Sequence, residues 1–338
     1  MKINFEGIVG QEQAVEKLKR SLENNQISHA YLFEGEKGLG KKDIALRLAF
    51  VLNCTGDDRK PCNKCNSCIK IAGGNHPDIK IIENDGIIRI GEIRKIIGEM
   101  QLKPHEGRYK VYIICDADRM NMESQNALLK TLEEPPSYAV LILLTTKGYS
   151  LFPTVISRCQ VIKLYPENPE VIKHYLIKNK KIDEEQAHML ATFSGGVVGR
   201  AVELLDNPDF YYRREKIIEI CDKLLTSNLF AVLEQIVFFE EHRLYIEEIF
   251  GLMINWYRDL FMYSETRNMD FITNIDRKEE IDFHAAKIDS AKIRDIVFII
   301  EKAKNNLRSN VQFRLNIEVM LLNIREVLSD GNGGRSEI

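Results

Sequence analysis

Through the first half of the chain, short apolar and β-rich runs alternate with stretches of helical spacing. Beyond Pro166 the short runs cease. The pattern predicts strands over Ala30 to Phe33, Ile79 to Ile82, Tyr109 to Ile114, Ala139 to Leu144 and Val161 to Leu164. It predicts helices over Lys42 to Leu52 and Ser124 to Leu132, the second closed by Pro135 and Pro136, which cannot continue a helix. Alternation of this kind marks an α/β domain built on a parallel sheet. Residues 169 to 205 read as a small helical unit broken at Gly195-Gly196. From Phe210 onward the apolar positions recur at helical spacing, among them Ile217, Ile218, Cys221, Leu224, Ile249, Phe250 and Met253. The expected organisation is therefore an α/β domain over 1–166, a helical domain over 167–208 and an all-helical domain over 209–330. A polar, Gly-rich tail over 331–338 is expected to be disordered. No internal repeat is visible.

Composition narrows this little. The 338 residues are 44% apolar and 29% charged, with a formal net charge of -3. That balance is ordinary for a globular chain and lacks the basic excess of a protein that grips DNA alone. The longest uninterrupted apolar run, Ala139 to Leu144, is far too short to cross a bilayer, and the N-terminus has no apolar signal core. A cytoplasmic protein is expected, with no membrane partner.

Gly35-Glu-Lys-Gly-Leu-Gly40-Lys41 follows a strand and opens a helix, the setting in which G-x-x-x-x-G-K carries meaning. Its glycines let backbone N–H groups turn toward a polyphosphate, and Lys41 reaches the terminal phosphates. A Ser or Thr hydroxyl belongs next, as a magnesium ligand. Lys42 stands there instead, and an ammonium cannot coordinate a cation. Two readings follow: a loop that still holds nucleotide, or one kept for its turn geometry. The partner acid should end a nearby strand, yet Val111–Ile114 runs into Cys115-Asp116-Ala117. In either register one acid is missing, so ATP hydrolysis by this chain is expected to be poor or absent.

Cys54, Cys62, Cys65 and Cys68 fall within fifteen residues, as C-x7-C-x2-C-x2-C. Four thiolates suit tetrahedral zinc and leave no position open for water, so a structural zinc knuckle is expected. Pro61, Asn63 and Asn66 favour the turns between them. Cys115, Cys159 and Cys221 lie in apolar contexts and read as packing residues, and His76 reads as a turn residue rather than a spare ligand.

Several phrases occur in order: Val9-Gly10-Gln11, His29 to Phe33, the loop, the knuckle, Asn126 to Pro136, Thr145-Thr146 and Ser157-Arg158-Cys159. Together, over residues 5 to 200, they resemble the AAA+ clamp-loader subunits of bacterial DNA polymerase III. The resemblance implies an AAA+ domain, a helical lid and a helical collar that holds the chain among related subunits. It also implies a degenerate nucleotide site of Gly35, Gly38, Gly40, Lys41, Lys42, Asp116 and Thr145. Aligned on Asn126, Cys115 takes the place of the metal-binding Asp and Asp116 that of the Glu. Those changes match the family's non-hydrolysing subunits rather than its tau/gamma motors.

In the lid, Gly199 falls where motors carry a phosphate-sensing Arg, with Arg200 one residue later. Read from the residues alone, Arg158 is a surface arginine. The resemblance makes it an arginine finger reaching a neighbour's ATP site. Implied partners are tau/gamma and delta subunits, with the sliding clamp and primed DNA reached through the complex. The rivals are a tau/gamma-like ATP-hydrolysing motor and a free-standing nucleic-acid-binding zinc protein.

Overall fold

The strand and helix boundaries follow from where apolar positions alternate and where they recur every third or fourth residue. The structure is a computed structural model; it describes residues 2–309 and 311–329, and the tail expected to be disordered lies outside the described residues. The strands are β1 (Lys2–Ile3), β2 (Ala30–Glu34), β3 (Arg59–Lys60), β4 (Ile79–Ile82), β5 (Lys110–Ile114), β6 (Ala139–Thr145) and β7 (Gln160–Lys163). The helices of the first half are α1 (Glu12–Glu23), α2 (Lys41–Asn53), α3 (Asn66–Ala72), α4 (Ile90–Met100), α5 (Met122–Glu133) and α6 (Pro153–Ile156). Then come α7 (Pro169–Tyr175), α8 (Glu184–Phe193), α9 (Val198–Leu205), α10 (Pro208–Thr226), α11 (Leu229–Leu233) and α12 (Ile236–Glu241). The last four are α13 (Ile246–Thr266), α14 (Lys278–Ala285), α15 (Ser290–Arg308) and α16 (Phe313–Ser329).

Among the described residues, those up to Lys181 together with Phe193–Val202 form one compact unit. Ile182–Thr192 and the residues from Glu203 onward form the other. In the first unit five parallel strands run in the order β4-β5-β6-β2-β7. Side chains alternate across the sheet because the strand period is two residues. Tyr31, Phe33, Val111, Ile113 and Ile142 meet Leu18 of α1 and Ile44 and Leu48 of α2 on one face. Leu32, Tyr112, Ile114, Leu141 and Leu143 meet Ile93 of α4 and Leu128 of α5 on the other. With both faces covered, the strands read as continuous apolar runs.

The expected strands appear at or within one residue of the predicted ends. Helices α1, α3, α4 and α6 are additional to those expected. In α4 the buried Ile93, Ile96 and Met100 recur at helical spacing along its inner face.

The second unit is helical throughout, as the spacing predicts. Its core includes Ile217, Cys221 and Leu224 of α10, Phe250, Met253 and Trp256 of α13, and Ile317 and Leu321 of α16. Among the described residues no helix is long and apolar enough to cross a membrane.

Candidate functional site

Gly38 and Gly40 both adopt positive φ, 89° and 83°, which lets the segment after β2 curl before α2 begins. The loop lies at the carboxyl end of the sheet, where open α/β folds bind ligands. Lys41 folds back over it: its Nζ donates to the carbonyl oxygens of Gly35 at 2.6 Å and Glu36 at 2.7 Å. Burial lowers the pKa of that ammonium, partly opposed by Asp116 and Asp118.

A cavity of about 930 Å³ opens in front of the loop and brings together Gly38, Gly40, Lys41, Lys42, Asp116 and Gly199. Gly35 and Thr145 are not among its lining residues. Thr145 is fully buried, donating its hydroxyl to Asp118 at 2.7 Å and accepting from the Lys147 N–H at 3.0 Å.

Where a magnesium ligand is expected, Lys42 pairs with Glu83, just past the end of β4. The Glu83 hydrogen bond raises the lysine's pKa and lowers the carboxyl's own. The Cys115 thiol points to the same carboxylate at 3.6 Å, and burial with that neighbour pushes its pKa up to about 11. A protonated thiol and a charged ammonium paired with Glu83 thus stand at positions 115 and 42. Glu83 was not anticipated; its only signal in the sequence is an acid directly after a β-rich run. Asp116 lies at positive φ, 48°, with its carboxylate 3.4 Å from Arg119.

The first turn of α9 closes over the loop. The Gly199 N–H donates to the Gly38 carbonyl at 2.9 Å, and a Cβ at Gly199 would stand 2.8 Å from the Gly38 Cα. Arg200 follows in the same turn and is absent from the cavity lining.

The four knuckle sulfurs lie within 4.8 Å of one another. A tetrahedron with zinc–sulfur bonds of about 2.3 Å has sulfur–sulfur edges near 3.8 Å, so the donor set fits. Backbone N–H groups already point at the sulfurs. Cys54 Sγ accepts from Gly56 at 3.4 Å and Cys62 at 3.3 Å, Cys62 Sγ from Cys65 at 3.3 Å, and Cys65 Sγ from Cys68 at 3.4 Å. Such donors stabilise thiolates. Cys54 caps α2, and Cys65 caps α3. The buried His76 ring lies outside the cluster, bonded to Ser67 at 3.1 Å and accepting from the Asp78 N–H at 3.2 Å.

Arg158 sits apart from the cavity, between α6 and β7. One guanidinium nitrogen donates to the Thr154 carbonyl at 2.8 Å and the other to Glu133 at 2.7 Å.

Residues 10–168 match a family model described as DNA polymerase III, delta subunit, and residues 209–326 match a second model, for the C-terminal part of the delta subunit. The delta' subunit of DNA polymerase III from Bacillus subtilis is 32% identical, over 94% of this chain and 96% of that protein. The chain belongs to the delta-prime subunit family of DNA polymerase III. The tau subunit of DNA polymerase III from Escherichia coli is also similar, 37% identical over 60% of this chain but 32% of its own length. A gamma-subunit-related structure from Thermotoga maritima overlays with a TM-score of 0.42 and 21% identity, covering 93% of this chain and 99% of that one, too distant to bear on function. As a delta-prime family member, the chain is a clamp-loader subunit of DNA polymerase III.

Proposed function

We propose that this chain does not hydrolyse ATP and instead supplies Arg158 in trans to a neighbouring tau/gamma ATPase subunit. With tau/gamma and delta it helps place the sliding clamp on primed DNA, held in the ring by its C-terminal helices. The observation that carries this reading is the position of Arg158 relative to the loop. β2 and β7 are parallel neighbours, with Tyr31 opposite Gln160 and Glu34 opposite Lys163. The loop follows the carboxyl end of β2, whereas Arg158 precedes the amino end of β7. Counted in that register at about 3.3 Å per residue, Arg158 and the start of the loop are separated by roughly 20 Å along the strands. Arg158 is therefore too distant to serve its own chain's phosphate loop, as a finger meant for a neighbour must be. A planar cation there stabilises charge on the transferring phosphoryl group.

The loop's own chemistry supports the other half. With Lys42 and Cys115 in place of oxygen ligands, magnesium is not held against a triphosphate. Any nucleotide in the cavity is bound without being turned over. The four cysteines hold a structural zinc ion, which supplies folding energy to the segment between α2 and α3.

The test is to add the purified chain to its motor subunit. Alone, the chain should show no magnesium-dependent ATP turnover; added to the motor, it should raise the motor's turnover, and the Arg158→Ala chain should not. Robust turnover by the chain alone contradicts the reading and favours a motor.

A further inference from the structure

The end of α5 breaks a rule of helix electrostatics. Its last turn meets the negative pole of the helix, where cations are favoured and carboxylates are not. Yet Glu133 closes the helix and Glu134 caps it, directly before the two prolines. Local rules are broken in this way most often at functional positions.

Building on the finger reading above, we infer that Glu133 is the residue that positions Arg158 for its neighbour. Its carboxylate accepts from one guanidinium nitrogen at 2.7 Å while the Thr154 carbonyl accepts from the other at 2.8 Å, with the Ser157 hydroxyl at 3.5 Å. These partners approach from α5 and α6, which are locked together. Val155 is buried in one core with Leu128 and Leu132. The buried Gln125 of α5 accepts from the Phe152 N–H at 2.7 Å and donates to the Ser150 carbonyl at 3.2 Å. The guanidinium is thus held on both sides by a rigid joint, while a third of the side chain remains exposed.

An arginine has five N–H donors, so donors remain on the exposed edge for a phosphate. The pair itself is solvent-exposed and adds little to stability. What it does is restrict a long, rotamer-rich side chain to one direction before the neighbour arrives.

The test uses the reconstituted clamp-loader complex and single-turnover ATP hydrolysis, with assembly checked by size-exclusion chromatography. Glu133→Ala should slow the site that this chain faces by about a hundredfold, the scale of a catalytic group misplaced by about 1 Å. Glu133→Gln, which keeps an acceptor oxygen, should recover most of the rate. In an Arg158→Ala background, Glu133→Ala should cause no further loss. A Glu133→Ala complex at or above the wild-type rate, with Arg158→Ala still slow, overturns the positioning role and leaves the finger standing. An added loss in the Arg158→Ala background also overturns it, because Glu133 would then act independently. An Arg158→Ala complex at the wild-type rate removes the finger reading and this one with it.

Discussion

Gly199 donates its backbone N–H to the Gly38 carbonyl at 2.9 Å, and neither residue has room for a side chain. A Cβ on Gly38 would lie 2.8 Å from Val197 Cγ1, at a backbone φ of 89° that other residues rarely adopt. A Cβ on Gly199 would meet the Gly38 main chain, which cannot step aside as a flexible side chain can. The start of α9 is therefore fitted directly against the main chain of the phosphate loop at Gly38.

Substitution at this contact should be costly. Gly38→Ala and Gly199→Ala should each lower stability by about 1–3 kcal/mol through overpacking and backbone strain. Thermal melting measures the loss, and hydrogen exchange should show the Gly199 amide losing protection. Unchanged melting and protection would mean that α9 does not rest on the loop.

The cysteine cluster predicts metal. Analysis of the purified chain should find about one zinc per molecule, on the four-thiolate argument. Cys62→Ser or Cys65→Ser should reduce that content and expose the segment between α2 and α3 to proteolysis, because binding of a structural metal doubles as folding energy. A well-protected segment with no metal would contradict the assignment.

Much of this was legible in the residues, and for a physical reason. The glycines of the loop, the spacing of the cysteines and the apolar runs of β5 and β6 depend on neighbours close in sequence, so local rules expose them. Glu83 and Glu133 were not legible as partners. Cys115 meets the first only because β4 lies beside β5, and Arg158 meets the second only because α6 docks on α5. The Thr145 partner was not legible either: the resemblance implied a place in the nucleotide site, and only the fold shows its hydroxyl donating to Asp118.

A buried carboxylate directly before the edge strand β4 gives a pH prediction. Burial works to raise the pKa of Asp78, but N–H donors from Glu106, His105 and Gly107 outweigh it, and the value falls below the ordinary 3.8. A lowered folded-state value means that Asp78 stabilises fully above the ordinary carboxylate range. That contribution is lost as pH falls through the folded value. Asp78→Asn should cost about 1–3 kcal/mol at neutral pH. In urea melts, its deficit relative to the wild type should shrink toward pH 3. A deficit that stays constant over that acid range would show that the charge of Asp78 is not what holds residues 105–107.

Single-turnover ATP hydrolysis by the reconstituted complex, wild type against Arg158→Ala, tests the division of labour most directly. With assembly and nucleotide binding intact, the motor site facing this chain should slow by about a thousandfold, the low end for loss of an arginine finger, while the remaining sites keep their rate. Uniform wild-type kinetics at every site would contradict the account.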